Sequence, residues 1–182
     1  MFAQWAPYWD HDKHFLVEKS PPNIMKTRFL QAAAGPGRTH FVVTIRHPMA
    51  EAYSHGCGKD VEGYLKNWLT QYETLEADLA GLCSVHVVRF EHWLDTSKSA
   101  ASVIGAIVSK LRAPNGSDHH EQHRQLKLHG TEVKAQVESW VPLEPTDPLV
   151  EAFQGRVARF GYSLTTRKEH RPTSLLRALE VN

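Results

Sequence analysis

FVVTIRHPMAEAYS, residues 41–54, decides how this chain is read. Phe41 to Ile45 is a β-branched apolar run of the kind that forms a buried strand. It ends at Arg46, followed by His47 and by Pro48, a residue suited to the first turn of a helix. Ser54 lies eight residues beyond Arg46, about two helical turns into the next segment. The pattern sets a fixed cation at the carboxyl end of a strand and a hydroxyl nearby. In open α/β sheets ligands collect at those strand ends. A guanidinium presents a planar fork of donors that suits a phosphate, and a serine adds a short donor. Residues alone therefore predict a phosphate-binding element in a nucleotide-handling α/β domain.

Working outward, HFLVEKS at 14–20 reads as a short strand that runs into a polar end, with Ser20 as helix cap and Pro21 or Pro22 in the first turn. Ile24, Met25, Arg28, Phe29 and Ala32 recur at helical spacing and predict a helix over 23–34, stopped by Gly35-Pro36-Gly37. Strand, helix, strand is a parallel crossover unit. Residues 60–82 form the longest helical pattern, 84–90 a third strand, 97–111 a further helix and 148–160 a last one. The predicted fold is α/β, with strands near 14–19, 40–46 and 84–90 in one mostly parallel sheet flanked by helices in three layers. Residues 113–130 read as a polar, His-rich loop.

Composition narrows the classes. A chain of 182 residues fits one domain with a real core. Lysine plus arginine is 21 and aspartate plus glutamate 20, a near balance that argues against a dedicated nucleic-acid binder. No run approaches the roughly 18 apolar residues of a membrane span, and the opening MFAQWAPYWDHDKH does not have the form of a signal peptide. Two cysteines are too few for a disulfide scaffold, and Cys83 reads as a small buried apolar residue. His119 and His123 stand four apart, but the surrounding polar run favours a solvated loop over a metal site, and no metal is expected.

Several segments together resemble sulfotransferases that use 3'-phosphoadenylyl sulfate, the Golgi-type and related enzymes with a P-loop NTPase-like fold. RHPMAEAYS looks like their 3'-phosphate motif, with Arg46 and Ser54 on its two binding positions. LVEKSPPNIMKTRFLQ, residues 16–31, resembles their EKSP segment. VVRFEHWL, residues 87–94, resembles their "YEDL" strand end, with Phe90 for tyrosine and His92 for aspartate, and FGY at 160–162 resembles a late helix end. The resemblance implies transfer of a sulfuryl group from 3'-phosphoadenylyl sulfate to an acceptor hydroxyl or amine, leaving adenosine 3',5'-bisphosphate. It implies Arg46 and Ser54 as donor-binding residues and Lys19 as the catalytic cation beside the transferring group. The acceptor stays open among glycan, protein tyrosine and small alcohol, and no general base is assigned.

The chain departs from the family in one large respect. The loop that cradles the 5'-phosphosulfate should precede the EKSP segment, yet only 17 residues come before Glu18, without a glycine. The expectation is a carboxyl-terminal portion over 1–164, an inactive fragment or degenerate relative, followed by a basic tail or short helix over 165–182. Its sheet should be incomplete, with an apolar face that favours self-association. Compartment follows the full-length protein, Golgi lumen or membrane if it is Golgi-type and cytoplasm otherwise. Two other readings are a non-catalytic remnant that binds or scaffolds and a P-loop-like kinase relative; the second lacks its G-x-x-x-x-G-K-[ST] loop.

Overall fold

The computed structural model describes residues 4, 6–13, 15–56, 60–94, 105, 140–168 and 172–173. The expected helix at 97–111 apart from residue 105, the His-rich loop with His119 and His123, Cys57 and most of the tail lie outside them.

Two strands, β1 (Phe41–Ile45) and β2 (Val85–Arg89), pair in parallel, Phe41 opposite Val85 and Ile45 opposite Arg89. Alternation along β1 turns Val43 and Ile45 into the core and leaves Val42 and Thr44 outside. The helices are α1 (Thr27–Ala34), α2 (Pro48–Ser54), α3 (Val61–Asp78), α4 (Phe90–Leu94) and α5 (Pro148–Arg159). The described residues thus mix helices with a small parallel sheet. None of these helices is long and apolar enough to cross a membrane.

Helix α3 organises the core. Asp60 caps it by accepting from the Gly63 amide at 2.9 Å. Leu65, Trp68, Leu69, Tyr72 and Leu75 then bury one face against both strands and α5. Two of these residues do polar work as well. The Tyr72 hydroxyl donates to Thr44 O at 2.9 Å and the Trp68 indole donates to Arg46 O at 3.2 Å. Phe41 N donates to Ser84 O on the β2 side, so alternation puts the carbonyls of 44 and 46 on the other edge of β1. Helix α3 therefore satisfies that edge with side chains where a strand would otherwise pair.

That edge explains the main correction to the sequence reading. Residues 15–20 form no strand. Phe15, Leu16 and Val17 are exposed, and the Trp9 indole takes the Val17 carbonyl at 3.1 Å. The apolar run has strand composition, but two β1 carbonyls it might have approached are already bonded. The helix expected from residue 23 also starts later. Pro21–Met25 make a 3-10 turn, and the α-helix begins at Thr27. The cause is Glu18, whose carboxylate accepts from the Ser20 hydroxyl at 2.6 Å and from the Asn23 amide. Ser20 is thereby drawn to Glu18 and gives no side-chain cap. Helix α1 ends at Gly35, where φ is +99°, a conformation that suits glycine. Cys83, expected in the core, is exposed, in the loop before β2 where its backbone N–H donates to the Gln31 side chain at 2.7 Å.

A salt-bridge cluster ties α5 to α3 on the surface. Arg156 meets Glu73 at 2.6 Å, and Arg159 meets Glu76 at 2.5 Å. The hydrogen bond from Arg156 holds the Glu73 carboxyl below its usual range. A lowered folded-state value contributes stability above the ordinary carboxylate range, and that stability is lost as pH falls through the lowered value. Both groups are partly exposed, so Arg156→Ala should cost only about 0.5 kcal/mol at neutral pH. Thermal melts of the two proteins should converge in acid, as pH falls through the lowered Glu73 value.

Candidate functional site

The site begins where β1 hands over to α2. His47 caps α2, its Nδ1 accepting from the Met49 amide at 3.2 Å. That bond fixes the tautomer, so Nε2–H donates to Ser163 O at 2.9 Å. The ring stacks on Trp140 with centroids 4.2 Å apart. His47 is thus buried for packing and capping, and its geometry is not that of a base. Glu91 braces the same turn from α4. Its Oε1 accepts from the His47 amide at 2.7 Å and its Oε2 from the Tyr162 hydroxyl at 3.0 Å.

With the turn fixed, the side chain of Arg46 reaches Ser54. Nη1 donates to Ser54 Oγ at 3.1 Å, and that hydroxyl donates to Glu51 O at 2.8 Å. The two residues singled out from the sequence are therefore in contact, at the carboxyl end of a parallel strand. Phe90 lies under the guanidinium with Cζ 4.7 Å from its ring centroid, a cation–π contact that orients the fork. Nε and Nη2 of Arg46 are buried with no hydrogen-bond partner. A buried donor without a partner is costly, and a charged one more so, which marks Arg46 as built for something other than folding.

Arg46 lines a cavity of about 560 Å³ between the β1 face, the 15–25 segment and α1. Lys19 stands on the same wall, with Glu18, Ser20, Glu51, His55 and Phe90. Lys19 is exposed at the rim. Cation and cavity therefore converge, although Ser54 sits just outside the lining, at the exposed edge.

Three further residues belong to the site and were not assigned from sequence. Glu51 is largely buried, and loss of solvent pushes its carboxyl above the usual range. Hydrogen bonds from Tyr64 and Trp68 and the charges of His55 and Arg46 act the other way, more weakly. Its Oε2 is buried without a hydrogen-bond partner. His55 Nδ1 bonds to Glu51 O at 2.9 Å, and its ring stacks against Tyr64. The spacing held the signal, since 51, 54 and 55 share one helical face. Phe90 was read only as a replacement for tyrosine.

Two other arginines serve structure instead. Arg89 is buried, donating to Phe160 O at 2.8 Å with its guanidinium over the Tyr162 ring. It serves the core. Arg28 points to Asp78 at 4.0 Å. Among the described residues no cluster of histidine, cysteine and carboxylate could hold a metal ion. Comparison with family models, with curated proteins and with solved structures finds no match for this chain.

Proposed function

We propose that this chain holds the 3'-phosphate of a nucleotide donor on Arg46 and Ser54, as a sulfotransferase that takes its sulfuryl group from 3'-phosphoadenylyl sulfate. The single observation that carries the reading is the Arg46–Ser54 contact at 3.1 Å, beside two buried guanidinium nitrogens that lack partners. The donor set fits a phosphate. It combines a planar cation, a hydroxyl and an aromatic platform; the hydroxyl donates to the Glu51 carbonyl here, and its O–H must rotate toward a seated phosphate to serve as the second donor. The cavity beyond Arg46 is large enough for a nucleotide-sized ligand.

The reading places β1 and β2 in a P-loop NTPase-like layered fold. Their parallel pairing, with helices α2 and α3 between them, supports that placement. When bound, the donor supplies an electrophilic sulfur. The acceptor oxygen or nitrogen forms a bond to it, the bond from sulfur to the bridging phosphate oxygen breaks, and the acceptor gives up a proton. This chain's residues would grip and orient. Arg46 and Ser54 hold the far phosphate, and Lys19 on the cavity wall is the cation available to negative charge gathering on the leaving oxygen. Glycan, tyrosine and small-alcohol acceptors all fit that chemistry.

Titration with adenosine 3',5'-bisphosphate against adenosine 5'-monophosphate tests the grip. Preferential binding of the bisphosphate is expected. Equal binding of the two, or binding of neither, would remove the reading.

A further inference from the structure

We infer that Glu51 is a proton-linked member of the anion grip: an anion seated against Arg46 and Ser54 binds with uptake of one proton by the Glu51 carboxyl. The inference rests on the reading of Arg46 and Ser54 as a phosphate grip. Its ground is geometric. Glu51 and Arg46 line one cavity, and each buries side-chain atoms that no hydrogen bond satisfies: Oε2 on one, Nε and Nη2 on the other. Opposite charges in a shared low-dielectric pocket attract, so an ionised Glu51 is an internal rival for the guanidinium that a ligand must use. A ligand anion and an ionised Glu51 cannot share that cation cheaply. Protonating the carboxyl ends the rivalry without moving the backbone. Desolvation has already raised this carboxyl toward the neutral form, so a modest further field completes the change.

The groups that face Glu51 leave the proton there. Arg46 approaches from the end of β1, and His55 shares its own helix. Tyr64 and Trp68 approach from α3 as hydrogen-bond donors, while Tyr72 lies deeper on the same helix, within reach of the charges of both Glu51 and Glu91. Glu18 and Lys19 stand elsewhere on the cavity wall. Among the described residues His55 is another titratable group beside the grip, and its contribution is separable by substitution.

The experiment is calorimetry with inorganic sulfate, then with adenosine 3',5'-bisphosphate, in buffers of different ionisation enthalpy. Sulfate stays fully ionised over the range, so any proton taken up belongs to the protein. Wild-type protein should take up close to one proton per sulfate. Its affinity should fall by up to about tenfold per pH unit as pH rises above the ordinary carboxylate range. Glu51→Gln should bind sulfate at least as tightly at neutral pH, with no proton uptake and a flat pH profile. His55→Phe should keep the uptake. An unchanged slope in Glu51→Gln, or loss of uptake in His55→Phe alone, overturns the inference and leaves the phosphate grip standing. Absence of binding by either anion at every pH overturns the grip, and the inference with it. Proton uptake by the wild-type protein is read without any variant, so zero uptake during measurable binding is decisive even if Glu51→Gln fails to fold.

Discussion

Trp68→Ala should cost about 3–5 kcal/mol of stability. Trp68 is 2 % exposed. Its ring sits 4.6 Å from Tyr72, 5.4 Å from Phe160 and 6.2 Å from Tyr162, centroid to centroid. Truncation would empty the centre of an aromatic cluster that joins α3, α5 and the FGY segment. It would also strip the Arg46 carbonyl of its indole donor at 3.2 Å. Cavity and lost hydrogen bond act on the same place, the end of β1 that carries the candidate site. Chemical denaturation should show a lower midpoint, and binding of adenosine 3',5'-bisphosphate should weaken in the fraction that stays folded. Trp68→Phe keeps most of the volume and removes the indole N–H, so it should cost about 1–2 kcal/mol. A Trp68→Ala protein with wild-type stability would mean that the core is not centred on α3.

How far the sequence alone could reach follows from which interactions are local. The two parallel strands were legible because FVVTI and VHVVR are apolar β-branched runs, although β1 buries only alternate residues. Helix α3 was legible from its spacing, and α5 from Asp147, Pro148 and the pattern after them. Arg46 and Ser54 were legible because one turn and one short helix fix their separation. What failed depended on distant partners. FLV at 15–17 has the composition of a strand, but whether it pairs is decided by Tyr72 and Trp68, more than fifty residues away, which occupy the β1 edge. Ser20 looked like a cap until the Glu18 carboxylate competed for its hydroxyl. Arg89 stands at a strand end, where its role is decided by Phe160 and Tyr162, about seventy residues on, which it contacts. Glu51 escaped notice for a different reason. A lone glutamate on a short helix reads as a solvated face, and its burial depends on Tyr64 and Trp68 of the next helix.

Arg46→Ala should weaken adenosine 3',5'-bisphosphate binding by about 2 kcal/mol or more, roughly thirtyfold. The expected loss follows from what the side chain does where it stands. Its Nη1 bonds Ser54, its face rests on Phe90, and its remaining nitrogens have no hydrogen-bond partner to compensate for their burial. Removing the guanidinium relieves the protein of an unsatisfied buried charge, so folding should be little affected or even improved. Binding should suffer, since alanine leaves Ser54 as a lone neutral donor. Stability and binding are therefore expected to move in opposite directions, which a purely structural arginine would not do. Arg46→Lys sharpens the test. An ammonium keeps the charge but not the planar fork, nor the stacking on Phe90, and should recover only part of the affinity. Ser54→Ala removes one hydroxyl donor and should cost about 1 kcal/mol. The decisive readout is the ratio of bisphosphate to 5'-monophosphate affinity. A 3'-phosphate grip predicts that Arg46→Ala brings the ratio close to one, by weakening the bisphosphate alone. If both ligands weaken equally, Arg46 serves the cavity as a whole or contacts the 5' side, and the donor must lie in the opposite direction.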